Sequence, residues 1–324
     1  MTTRTTPRQA ASAVLMVRPK TFGWNPQTVE TNRFQTASAL DDATVATSVG
    51  VEFEALASAL ATAGVDVHVI DDRDVPRCPD AVFPNNWVSF HDDGTVVLYP
   101  MLAPNRRLER RAHRLHDIVE RGGYRVNRLL DLTHHELDGR FLEGTGSVVF
   151  DHARRLAYAC LSPRTDRDVL EELCSELGYR ALAFAAADRG GVPIYHTNVL
   201  LAIGRGFAVV CAEAIDARDR EAVLAALADS GREVLAIGFD AMRCFAGNVL
   251  ELATRDARTV LAMSRQAADA FEPDVRSRFA QLVDAIVAVP IPTIERHGGG
   301  SVRCMLAEVF LPHALTRAVA ENHA

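Results

Sequence analysis

Long apolar runs are missing from this chain. No stretch approaches the roughly 18 uninterrupted apolar residues of a membrane span, and neither end carries the apolar core of a secretory signal. A soluble, non-membrane protein is expected. Basic blocks are missing too: the net charge is −7 and no long arginine or lysine run breaks it, which argues against a nucleic-acid partner. Cysteine is sparse, with six residues at 78, 160, 174, 211, 244 and 304 and no CxxC pair, so neither a disulfide framework nor a zinc set is indicated, and a reducing, cytoplasmic compartment is expected. His134-His135-Glu136 lacks the HExxH spacing, so no metal and no cofactor are expected.

What is present is a large apolar fraction, 48% of 324 residues, enough for a sizeable core. Residues 1–12, rich in Thr and Ser with Arg4 and Arg8, read as a disordered tail, and residues 13–324 as a single catalytic domain. Inside that domain one motif recurs. Apolar runs flank the turn His91-Asp92-Asp93-Gly94, and a helical pattern over 105–121 follows, stopping at Gly122-Gly123. The order returns at Ser147 to Leu161 with a helix capped by Thr165-Asp166, and at Val199 to Ala212 with a helix over about 216–229. A fourth copy runs from Asn248 to Met263 and continues helically to about Val287. Strands at Val14–Val17 and Ser301–Phe310 with a helix at 49–63 supply the parts of a fifth, so that pairing the two ends would close an α/β ring and leave no exposed edge. An ordinary α/β sheet with mixed connections is the competing architecture.

Chemistry-bearing residues gather at the hairpin starts. Gly298-Gly299-Gly300 reads as a flexible loop delivering Cys304 to the start of a strand, where a thiol can serve as nucleophile if a neighbour favours the thiolate. Otherwise it is a small buried hydrophobe. His196, in Tyr195-His196-Thr197-Asn198, is a candidate proton carrier, one of eleven histidines. Glu143 stands beside Gly144 and Gly146 in a segment that lacks a P-loop lysine. Asp80, Asn85 and Asn86 lie among bulky apolar residues and would need polar partners or a ligand. Arg106 or its neighbour Arg107, together with Arg164, suits the capture of a carboxylate.

Taken together, Met16-Val17-Arg18-Pro19, Phe83-Pro84-Asn85-Asn86-Trp87, Leu142-Glu143-Gly144-Thr145-Gly146-Ser147 and Gly298 to Cys304 resemble the guanidino-group-modifying, or pentein, superfamily over nearly the whole chain. Within it they look closest to the citrulline-utilisation hydrolase and arginine dihydrolase branch, which is related to the amidinotransferases. The resemblance implies a five-bladed, pseudo-symmetric α/β propeller closed by pairing of the N- and C-terminal strands. It assigns the nucleophile to Cys304, the general acid/base to His196, and to Glu143 the acid that holds guanidino nitrogens and steadies the histidine. Asp80 matches a contact to the substrate's amino-acid end, and Arg106 and Arg164 match arginines near its carboxylate.

Two positions depart from the deiminases, which carry Asp where this chain has Asn86 and Asn198. A guanidinium has donors only, whereas a ureido group also has a carbonyl oxygen that an amide tolerates better than a carboxylate does. The expected activity is therefore hydrolysis of arginine or citrulline through a covalent cysteine intermediate, releasing ammonia and ornithine. Amidino transfer to an amine, deimination to citrulline, and ligand binding without turnover remain the alternatives, and self-association stays open.

Overall fold

The computed structural model describes residues 8–36, 41–73 and 75–314, and it is a mixed α/β fold built from one repeated three-strand unit. The strands in chain order are β1 (Ala13–Arg18), β2 (Asp66–Asp71), β3 (Val88–Phe90), β4 (Thr95–Leu98), β5 (Arg128–Asp131), β6 (Val149–Asp151), β7 (Leu156–Leu161) and β8 (Arg180–Ala185). They continue with β9 (Leu201–Ile203), β10 (Phe207–Val210), β11 (Glu233–Ala236), β12 (Leu250–Ala253), β13 (Thr259–Ser264), β14 (Ala285–Val289) and β15 (Ala307–Val309).

In each unit an antiparallel hairpin is followed by a helix that returns the chain to a third strand, parallel to the hairpin's second. β3 and β4 are followed by the helix Ala112–Gly122 and β5; β6 and β7 by Arg167–Leu177 and β8; β9 and β10 by Ala217–Ala228 and β11. β12 and β13 lead through Arg265–Ala270 and Pro273–Leu282 to β14. The fifth unit joins the two ends of the described chain: β15 pairs antiparallel with β1 from Ala13↔Val309 to Leu15↔Ala307, and β2 follows the helix Asp42–Thr62. Among the described residues the sheets stay separate, three of three strands and one of six that forms where Val309 of β15 meets Phe90 of β3, so no single hydrogen-bonded ring closes among them.

Helix caps explain why the periodic segments start and stop where they do. Asp166 accepts from the amides of Asp168 and Val169, Asp216 from Arg218 and Ser264 from Ala267, satisfying N–H groups that a helix start leaves without partners. Helix Asp42–Thr62 buries Val45, Val49, Phe53, Leu56 and Leu60 along one face, an i, i+3/i+4 stripe that packs with Val14, Met16 and Ile294.

Several expectations are corrected. Residues 105–121 form two helices, Pro104–Arg107 and Ala112–Gly122, because the stretch between them turns Glu109 inward to Arg106 and Arg111 inward to Asp72. The helical reading toward Val287 ends at Leu282, and Ala285–Val289 instead pairs with β13. Residues 1–7 lie outside the described residues, but 9–12 are packed rather than loose. The Gln9 amide donates to the carbonyls of Phe150 and Ile203 at 3.0 and 3.3 Å and accepts from the His152 N–H at 2.9 Å, while Ser12 and Ala11 accept from Asp66 and Ala253.

A short turn stands before each hairpin: Pro84–Asn86, Gly144–Ser147, Thr197–Val199, residues 244–247 and Val302–Met305. The Gly144–Ser147 turn packs against Pro84–Asn86 and Thr197–Val199, and Pro84–Asn86 also packs against Val302–Met305. These turns bring residues from distant parts of the sequence to one place.

Candidate active site

Cys304 lies in the turn Val302–Met305, before β15 rather than on a strand, and it is buried. The glycine run before it is fixed, not flexible. Gly298 ends the helix Pro292–Gly298, whose N-terminal amides at Thr293 and Ile294 are held by the carboxylate of Glu52. The carbonyl of Gly298 accepts from the amides of Asn32 and Gln35 at 3.1 and 3.2 Å, and that of Gly299 accepts from the Tyr195 hydroxyl at 2.6 Å. Gly299 has φ +62, and a Cβ there would lie 2.6 Å from the Asn32 amide nitrogen, so glycine is required on both counts. Two side-chain amides reach the Cys304 sulfur: Asn248 at 3.3 Å and Asn198 at 3.5 Å. The sulfur also lies 3.6 Å from the Asn248 amide oxygen, so the thiol can donate there as well.

His196 and Glu143 are both buried and joined at 2.9 Å from Nε2 to the carboxylate. Burial pulls the His196 imidazole down to about 4, against the opposing pull of Glu143, so the ring is neutral near pH 7. Burial alone would raise the Glu143 carboxyl, yet Arg164 and the His196 hydrogen bond outweigh it and hold the group below the usual carboxylate range. An ionised Glu143 accepts the Nε2 proton, which leaves Nδ1 as the basic nitrogen of the ring. Space for the ring depends on Gly146, where a Cβ would lie 2.6 Å from His196 Nδ1 and 2.5 Å from the Asn86 amide nitrogen. Gly144, with φ +49, admits the Asn85 carbonyl, which a Cβ would meet at 2.1 Å.

Charged groups line the rest of a narrow pocket walled by Asp80, Asn86, Arg106, Arg164, His196 and Cys304 among others. Arg106 is gripped by Glu109 through Nε and Nη2 at 3.0 and 2.9 Å and donates from Nη1 to Asn86 at 2.8 Å. Asp80 lies 3.7 Å from Arg106 and accepts from Asn25 at 2.7 Å, while its other oxygen has no protein partner. Burial raises the carboxyls of Asp80 and Glu109, the latter to about 7. Arg164 pairs with Glu143 at 3.3 Å, donates to Thr31 Oγ1 and the Thr28 carbonyl, and sits over the Tyr195 ring. Asn25, Thr28, Thr31, Asn32 and Gln35 all belong to one segment, which covers the pocket through polar contacts.

The structure thus brings all nine candidates into one neighbourhood, though not all onto the pocket wall. Glu143 stands behind His196, Asn198 lies beside the Cys304 sulfur, and Asn85 accepts from Asn86 with its own amide nitrogen unpartnered. Arg106 is the arginine of its pair that lines the pocket, for Arg107 turns to the carbonyls of Met101 and Leu102. Sequence reasoning missed Asn248, Glu109, Asn25 and Asn32. A signal for Asn248 existed: Asn86, Ser147, Asn198, Asn248 and Cys304 each stand two or three residues before the first strand of their unit and are followed by two apolar residues.

The family described as N,N dimethylarginine dimethylhydrolase, eukaryotic, matches residues 18–311. No curated protein matches the chain by sequence. Among solved structures, ArgZ, an arginine dihydrolase from the ornithine–ammonia cycle in Cyanobacteria, superposes with a TM-score of 0.72 at 16% identity, covering 93% of this chain and 41% of that one. The chain therefore spans less than half of full-length ArgZ. The N-terminal domain of ArgZ bound to substrate gives 0.69 at 16% identity, covering 92% of this chain and 99% of that domain. A dimethylarginine dimethylaminohydrolase held as an adduct with S-methyl-L-thiocitrulline gives 0.61 at 16% identity over 92% of this chain and 99% of the other. The match over residues 18–311 places this chain in the N,N dimethylarginine dimethylhydrolase family, within the guanidino-group-modifying superfamily.

Proposed function

We propose that the protein hydrolyses the guanidino C–N bond of an arginine-type substrate through a covalent intermediate on Cys304, and that arginine is carried through to ornithine, carbon dioxide and two ammonia. The reading rests chiefly on one observation: a buried thiol facing two amide donors shares a pocket with a neutral histidine whose second nitrogen is bound by a carboxylate. It includes a five-bladed propeller formed by the described residues from Ala13 onward, supported by five copies of the strand unit and by the packed turns at their starts.

His196 takes the thiol proton as Cys304 Sγ bonds to the guanidino carbon, and passes it to the departing amine, so ammonia leaves neutral. Water, losing a proton to the same ring, then breaks the C–S bond and leaves a ureido product. Repetition on the ureido carbon releases the second ammonia and leaves an N-alkyl thiocarbamate on Cys304, whose hydrolysis restores the thiol and gives an N-carboxy amine that breaks down to carbon dioxide and ornithine. Asn86 supports that second round, since its amide tolerates a ureido oxygen. The unpartnered Asp80 oxygen suits a substrate ammonium.

A second reading, a methylated arginine as substrate with citrulline as the end product, is favoured by the family match. Incubating the protein separately with L-arginine, L-citrulline and N,N-dimethylarginine while following ammonia, dimethylamine, citrulline and ornithine separates the two. Two ammonia per arginine with ornithine supports the first reading. Dimethylamine with citrulline and inert arginine supports the second, and no product from any of the three overturns both.

A further inference from the structure

Outside the pocket, His134, His135 and Glu172 present ligand atoms that all lie within 4.8 Å of one another. The two histidines sit on the turn Thr133–Asp138, and Glu172 on the helix Arg167–Leu177, so chain neighbours are completed by a residue 37 positions away. The sequence alone offers Glu136 as the acid of this group, but Glu136 is committed elsewhere, accepting from the Met101 N–H and from Arg110.

We propose that His134, His135 and Glu172 form a binding site for a borderline divalent cation of the zinc type. Two imidazole nitrogens and one carboxylate oxygen are the donor set such ions take, with open positions left to water. His134 is already oriented: its Nδ1 lies 3.2 Å from the Asp131 carbonyl, so that nitrogen carries the proton and Nε2 keeps its lone pair for a metal. His135 Nε2 lies 2.7 Å from the Glu172 carboxylate, and the His134 ring lies beside the His135 ring, 4.1 Å between centroids with the planes tilted by 34°. A cation bound between them would replace that proton-mediated contact. With bonds of about 2.0–2.2 Å each, tetrahedral ligands lie roughly 3.3–3.6 Å apart, so His135 and Glu172 would move apart and any wider pair among the three would draw together. The proton displaced from His135 Nε2 moves to Nδ1 of the same ring, a buried atom without a hydrogen-bond partner.

Such a site ties the turn that leads into Glu143 to the helix that follows Arg164. It is independent of the reaction proposed above, because no residue of the pocket belongs to it.

The test uses zinc ions alone, added to the full-length Cys304→Ser protein so that the active-site thiol cannot compete. Equilibrium dialysis should give one zinc per chain, and thermal melting should shift upward as zinc is added. Changing an outer-layer partner of a metal site costs about 10–100-fold in affinity, so losing a direct ligand in His134→Ala or Glu172→Gln should weaken binding at least about tenfold. Both side chains are partly or fully exposed, and unliganded melting temperatures should match the parent. Zinc binding that survives both substitutions, or no binding at all, overturns the proposal.

Discussion

The side-chain amide of Asn248 donates to the sulfur of Cys304 at 3.3 Å, across 56 residues of sequence and from a different unit of the fold. Its own position is set by a second hydrogen bond, from the same amide to the Asn198 carbonyl at 3.0 Å, while the Asn198 amide also reaches the sulfur. Two polar residues that precede neighbouring hairpins therefore act on the residue that precedes a third.

Removing the Asn248 amide should slow both turnover and chemical labelling of the thiol. A hydrogen bond to a charged group contributes about 1.5–3 kcal/mol, so Asn248→Ala should lower kcat about ten- to a hundredfold. Iodoacetamide labelling of Cys304 at neutral pH should slow in parallel. Unchanged labelling would mean that the amide has no part in activating the sulfur.

Acidity should affect the fold before it affects His196 in the way an ordinary histidine would be affected. The folded ring titrates near 4 rather than 6.5, so the unfolded chain binds more protons between those values. Stability contributed by keeping the ring neutral is full above pH 6.5 and declines as pH falls toward 4, by up to about 3 kcal/mol. Denaturant melts at pH 7 and pH 4.5 should differ in that direction, and His196→Asn should shrink the difference.

Glu143 works with the opposite charge. Its carboxyl is held below the ordinary value, so its stabilising contribution is present above that value and is lost as pH falls through the depressed one. Glu143→Gln leaves Arg164 without its buried counter-charge and should cost about 3–5 kcal/mol, read as a lower urea midpoint. Turnover should fall as well, since His196 loses the partner that orients it.

Gly146→Ala should spare the fold more than the chemistry. Its new methyl would press on His196 Nδ1 and the Asn86 amide, and a displacement near 1 Å at a reacting group can cost about a hundredfold. Measured kcat should drop on that scale with a modest change in melting temperature. Gly144→Ala should do the reverse, because the obstacle there is backbone and φ is positive.

Hairpins were legible because each has alternating or apolar runs around a strong turn, as at His91 to Gly94 and Gly204 to Gly206. The third strands were not. β5 is largely exposed and reads as polar linker, while Ala285–Val289 follows a helix without a strong breaker. Cys304, His196 and Glu143 could be picked out because glycines or family motifs flank them. Asn248, in Gly247-Asn248-Val249-Leu250, resembles any residue before a strand, and only the packing of separate units places its amide on the thiol. Glu109 was hidden for a related reason: the break between two helices, which turns it inward, leaves no pattern in an arginine-rich stretch.

The most direct test of the account is to quench a reaction of the protein with L-arginine or N,N-dimethylarginine in acid and examine the peptide containing Cys304 by mass spectrometry. The account predicts a transient amidino or carbamoyl adduct on Cys304 that is absent from Cys304→Ser, together with complete loss of product formation in that variant. Product formation that persists in Cys304→Ser, with no adduct on the parent protein at any time, would contradict it.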